Sequence, residues 1–166
     1  MSAKKDAITA MGGFFATNDK DLYQNCSVYS ILFEGYLTYG GMTGGTMAAL
    51  AQGLKESTTF EYLHTRISQV KRFGEKLIEY GLPVLQPIGG HAVFLDALKF
   101  LPHIPREEYP AQALAVASYV EGGIRPVEIG TVMADRDPET RENRYVDLEL
   151  VRLAIPRRTF TDNHLE

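Results

Sequence analysis

Three features of this 166-residue sequence predict a mixed α/β chain. Stretches with apolar residues at helical spacing alternate with short apolar runs of strand length. Glycine and proline stand at the junctions, most clearly at Gly81-Leu82-Pro83, where a change of layer is expected. The 45% hydrophobic and 23% charged residues are those of a globular domain large enough to bury a core. The order of elements fits α/β or α+β; repeats and low-complexity tracts are absent from the sequence.

Taken in order, AITAMGGFFA (7–16) reads as a short apolar strand broken by Gly12-Gly13. Thr17, Asn18 and Asp19 offer N-caps for a helix over 19–34, because their side-chain oxygens can accept from the first free N–H groups. EGYLTYGGMTGG is a glycine-punctuated loop, and a helix restarts near Thr46 with Met47, Leu50, Ala51 and Leu54 on one face. STTFE supplies a capping box from Thr58 to Glu61. The helix that follows carries Leu63, Ile67, Val70, Leu77 and Tyr80 at helical spacing and stops at Gly81 and Pro83. AVFLD (92–96) is a strand, residues 109–121 a helix starting near Pro110, and IRPVEIGTVM (124–133) a second strand. A charged loop, ADRDPETRENRYVD, leads to LELVRLAI (148–155), whose alternation predicts a third strand.

Composition excludes several functions. The net charge is −4 and the basic residues form no stripe, so no nucleic-acid face is expected. The single cysteine, Cys26, cannot close an internal disulfide, which favours a reducing compartment. Asp6, Thr9, Gly12 and Gly13 break up the first apolar run and make it a poor export signal. No run reaches the ~18 apolar residues of a membrane span. The expected address is cytoplasmic.

Some residues have the chemistry for a site. Lys5 is an amine beside a second cation, Lys4, and a neighbouring charge lowers a lysine pKa from about 10.4 towards the nucleophilic, neutral form. The pair reads equally as a solvated terminus. Arg152 lies inside an apolar strand and needs a partner, either a structural carboxylate or a substrate carboxylate held by the guanidinium fork. His91, after two glycines, is more typical of a hydrogen-bonded structural histidine than of an acid or base. YGGMTGG (39–45), beginning at Tyr39, precedes a helix as an anion cradle does, yet lacks P-loop spacing and follows no strand, so it reads as a flexible loop. The four histidines and the cysteine show no metal-ligand spacing.

The segments MSAKKDAI…MGGFF, EGYLTYGG, GGHAVFLDA, LPHIP, YPAQALA, GIRPVEIG, RDPET and VRLAIPRR together resemble the aromatic amino acid β-eliminating lyases, over nearly the whole chain. That family comprises tryptophanase and tyrosine phenol-lyase. The resemblance implies the pyridoxal-phosphate fold of the aspartate-aminotransferase group (fold type I). Residues 1–81 would be the end of the large domain and 82–166 most of the small C-terminal one. It also implies a homotetramer.

By resemblance, Lys5 is the lysine that holds pyridoxal 5'-phosphate covalently, and Ser2 contacts its phosphate. Arg152 matches the arginine for the substrate α-carboxylate, and the Ala10 backbone carbonyl a ligand to a monovalent cation such as K+. The reaction implied is loss of the aromatic side chain of an amino acid, leaving pyruvate and ammonia. The cofactor ring takes up the electrons. Tyrosine phenol-lyases carry an arginine for the phenol hydroxyl where this sequence has Ile129, as tryptophanases do, so tryptophan is the expected substrate and tyrosine the second. GGHAVFLDA and IPRRTFT lie nearer the phenol-lyases. Met1 matches a residue inside the family motif, so the expectation is a C-terminal piece, inactive alone. The rival expectation is a non-catalytic remnant of the fold serving assembly or binding.

Overall fold

The computed structural model describes residues 1–38 and 41–165. It divides into two compact units, Met1–Leu63 and His64–Glu166. In the first, a short helix α1 (Ala3–Asp6) sits inside a closed turn. Ser2 bridges to Gly13, and the Ala3 N–H donates to the Gly12 carbonyl at 3.0 Å. Helix α2 (Lys20–Phe33) starts where the Asp19 carboxylate accepts from the N–H groups of Asp21 and Leu22. Helix α3 (Gly44–Glu56) starts at Thr43, whose hydroxyl accepts from the Thr46 N–H. Leu50 of α3 packs with Ala3 and Ala7, and Met42 and Leu54 flank them, so the α1 turn rests on α3.

Helix α4 (Phe60–Glu79) crosses the division between the units. The second unit is built on a three-stranded antiparallel sheet in the order β1-β3-β2: Ala92–Asp96, Leu150–Ala154 and Val127–Ile129. A short helix α5 (Ala97–Phe100) follows β1, and α6 (Pro110–Gly122) precedes β2. Side chains alternate between the faces of a sheet. Val93, Leu95, Val151 and Leu153 therefore share one face, and it packs on Val70, Phe73 and Leu77 of α4 and on Ala111 and Leu114 of α6. Phe94, Arg152, Val127 and Ile129 share the other.

Several expected elements are corrected. Residues 7–16 form no strand; the glycines close a turn, and a Cβ on Gly13 would stand 2.7 Å from the Met1 carbonyl oxygen. The capping box does not form. The Thr58 hydroxyl donates back to Leu54 and Lys55, closing the end of α3, and the Leu63 N–H is taken by the Thr59 carbonyl. Met47 and Ala51 are exposed, and the buried stripe of α3 runs through Leu50 and Gly53 instead. The strand expected over 124–133 is three residues long. The latter part of α4 packs on the sheet within the second contact unit.

Candidate functional site

The lysine pair lies on α1, where successive residues are turned by about 100°. Lys4 and Lys5 are both exposed, and Lys5 makes no ion pair with the described residues. The Ser2 N–H donates to the Asp6 carboxylate at 3.3 Å, while the Ser2 hydroxyl caps nothing in α1. An amine and a hydroxyl are thus left available within one turn. They fit a ligand with an aldehyde carbon and a phosphate oxygen. The turn is held from behind: Ala3 and Ala7 are fully buried, and the Cα of Gly53 approaches Ala7 so closely that a Cβ would fall 1.6 Å from its carbonyl oxygen. Ile8, the next residue, has φ 57. For a β-branched side chain that is a strained conformation. The Ala10 residue is exposed, and its carbonyl accepts no backbone hydrogen bond from the described residues.

Arg152 occupies the middle of the central strand, paired with Phe94 on one side and Val127 on the other. Ile129 pairs with Leu150, one step along the same face. Arg152 is half-buried, and its Nε is buried with no hydrogen-bond partner among the described residues. No described carboxylate lies within ion-pair distance of it. A structural partner, one of the two alternatives for this arginine, is therefore missing from the described residues. A guanidinium in an apolar row without a counter-charge is costly, and an external carboxylate would relieve it. His91 stands edge-on to Phe94 with ring centroids 6.2 Å apart, and its backbone carbonyl accepts from Arg66.

The structure thus brings Lys5, Ser2 and Ala10 together in the first unit, and Arg152 and Ile129 together in the second. Tyr39 lies outside the described residues. The remaining end of that loop is closed on itself by the Thr43 hydroxyl. No group of three or more metal-ligating side chains occurs among the described residues, and no described helix is long and apolar enough to cross a membrane. Sequence reasoning missed Glu128 and Glu149, two buried acids of the β2–β3 edge. The signal was present, since each glutamate interrupts an apolar strand run.

Comparison with known proteins decides the lineage. The profile of the β-eliminating lyases matches residues 1–166. The chain belongs to the β-eliminating lyase family. It is 59% identical over 165 residues, 99% of its length, to a "Probable beta-eliminating lyase" of Trichomonas vaginalis, and covers 36% of that relative. It is 52% identical to a "Tyrosine phenol-lyase" of Symbiobacterium thermophilum, with all of this chain and 36% of the relative aligned. A "Probable tryptophanase" of Aeropyrum pernix is 48% identical, again over the whole chain and 35% of the relative. The chain therefore spans little more than a third of the length of the β-eliminating lyases it matches.

Proposed function

We propose that this chain supplies the lysine and the substrate-carboxylate arginine of a pyridoxal-phosphate-dependent lyase that eliminates the side chain of an aromatic amino acid. The observation that carries the proposal is Arg152: a buried guanidinium nitrogen without a partner among the described residues, in a family whose substrates are amino acids. A non-catalytic remnant gives no reason for leaving that nitrogen unpaired.

In this reading Lys5 would hold the cofactor at its aldehyde carbon and would move the proton at the substrate Cα. Ser2 donates to the phosphate. Pyridoxal phosphate, when bound, supplies the electron sink for breaking bonds at Cα. Arg152 grips the α-carboxylate through its fork and so fixes which Cα bond is presented. Ile129, one step along the face from Arg152, offers an apolar wall. A wall of that kind gives a phenol hydroxyl no partner, so tryptophan is preferred over tyrosine. A monovalent cation such as K+ at the Ala10 carbonyl, a homotetramer, and a division of roles between a cofactor domain and a smaller C-terminal domain complete the proposal.

The test is a chimera in which the N-terminal part of the Trichomonas relative precedes residue 1. Its kcat/KM for tryptophan should exceed that for tyrosine. Arg152→Lys should raise KM for either amino acid roughly 10- to 100-fold through loss of the bidentate grip. An unchanged KM would remove Arg152 from the carboxylate role.

A further inference from the structure

The edge of the sheet beside Arg152 contains two acids that the proposed reaction does not use. Glu149 is 0% exposed and Glu128 only 8%. Glu149 Oε1 accepts from the Thr131 N–H at 3.0 Å and from the Thr131 hydroxyl. Glu128 accepts from the N–H groups of Val132 at 3.3 Å and Met133 at 3.1 Å. Between them the two carboxylates hold three successive N–H groups of the turn that ends β2. Glu149 Oε2, by contrast, is buried and has no hydrogen-bond partner among the described residues. A Cβ on Gly130 would lie 2.3 Å from that oxygen and 2.7 Å from Glu128 Oε1, so both acids crowd the same side of one glycine.

Among the described residues no cation pairs with them. From β1 and α5, Asp96 faces Lys99 at 3.0 Å. Arg106 donates to the backbone carbonyls of Val146 and Asp147. Arg152 projects from the opposite face of β3, since Glu128 pairs with Val151. On α6 the charged residue is Glu121, which is exposed, and in the turn Asp135 accepts from the Arg136 N–H. Neither buried glutamate forms an ion pair with a described residue. Two full negative charges this close, away from water, are costly, and one proton removes both the repulsion and the orphaned anionic oxygen.

We propose that Glu128 and Glu149, crowded against one glycine, hold one proton between them above the pH at which exposed glutamates ionise, and that this proton keeps the turn at 130–133 closed on the end of β2, positioning Val127 and Ile129 beside Arg152. Burial first, and then the Glu149 charge, push Glu128 above its ordinary value of 4.5, against the pull of the Val132 and Met133 N–H groups. The sign follows from linkage. The folded chain keeps the proton to higher pH than the unfolded one, so stability falls as pH rises from 4.5 through the raised value, and then levels. What the pair positions rests on the reading of Arg152 and Ile129 given above; the proton itself does not.

Carboxyl 13C NMR of the 166-residue chain labelled at glutamate tests it, with Glu149→Gln and Glu128→Gln assigning the two signals. In the wild-type chain one of the two should titrate at clearly higher pH than the exposed glutamates. In Glu149→Gln the Glu128 signal should move down, because the like charge is gone, yet stay above the others. Amide-exchange protection of Val132 and Met133 should drop about tenfold as pH passes the raised midpoint in the wild-type chain, and stay flat in Glu149→Gln. If both carboxyls titrate with the exposed glutamates, the shared proton is refuted. If they titrate high while protection is unmoved, the closing role is refuted. Should a variant not fold, the wild-type titration and exchange decide alone. A raised carboxyl in a chain whose chimera shows no lyase activity would sink the lyase reading and leave the proton standing.

Discussion

Gly53→Ala separates two opposed physical effects at the base of the lysine turn. Gly53 is buried in helix α3, where alanine is intrinsically favoured over glycine by about 1 kcal/mol. Propensity alone therefore predicts stabilisation. The added Cβ, however, would fall 1.6 Å from the Ala7 carbonyl oxygen and 2.7 Å from its carbon, against 3.4 Å or more for ordinary contact. The obstacle is backbone, pinned on one side by fully buried Ala7 and on the other by Ile8 at positive φ, so no rotamer change relieves it. Overpacking of this kind costs about 1–3 kcal/mol or more and outweighs the propensity gain. The expected result is a net loss of about 1–2 kcal/mol, and a fall in Tm of several degrees at roughly 2–4 °C per kcal/mol. Gly45→Ala in the same helix is the control, since nothing lies within 4 Å of its Cβ. It should be neutral or stabilising by up to ~1 kcal/mol. Circular dichroism melts of both variants, with amide exchange at Ala3 and Ala7, read the effect. Equal or greater stability of Gly53→Ala would refute the close approach, and with it the claim that α3 sets the position of Lys5.

Other outcomes follow from the same geometry. In the chimera, Ile129→Arg should move the kcat/KM ratio towards tyrosine by roughly tenfold or more, because a donor replaces an apolar wall; an unmoved ratio would place the choice elsewhere in the pocket. Borohydride reduction and peptide mapping of the loaded chimera should find the pyridoxyl group on Lys5, with Lys5→Ala abolishing the label and Lys4→Ala retaining it. The 166-residue chain by itself should release indole or phenol far below ~1 per second, since it spans about a third of the length of its relatives.

The helices were the most legible part of the fold. Asp19 and Gly81 mark ends that the structure realises through a carboxylate cap and a glycine at φ 81, and both are local chemistry. Strand β1 is legible because AVFL (92–95) is apolar throughout and lies between a glycine pair and the capping Asp96. The failures have a different origin. Apolar character made 7–16 look like a strand, whereas the Gly12-Gly13 pair serves a turn that closes on Met1 and Ser2, a pairing no window of residues reports. The strand expected over 124–133 stops after Ile129 because Glu128, an acid in an apolar run, needs partners for its charge. Its carboxylate takes the N–H groups of Val132 and Met133, and that act turns the chain out of the sheet.

The candidate site shows the same division. An extended backbone at residues 4–8 would have sent the two lysines to opposite faces, but on α1 they are neighbours about 100° apart and both exposed. Facing therefore does not distinguish Lys5 from Lys4, and the choice between them rests on the family motif. For Arg152 the position is reversed. Sequence left two partners open, an internal carboxylate or a ligand, and only register distinguishes them. Because β3 is the central strand, the residues beside Arg152 are Phe94 and Val127, neither of which can accept from a guanidinium. Of the nearest acids in sequence, Glu149 is bound to Thr131, and neither it nor Asp147 forms an ion pair with Arg152. An arginine whose strand neighbours are all apolar, and whose Nε is buried without an acceptor among the described residues, supports the proposed reading in which a carboxylate from outside the chain supplies the missing charge.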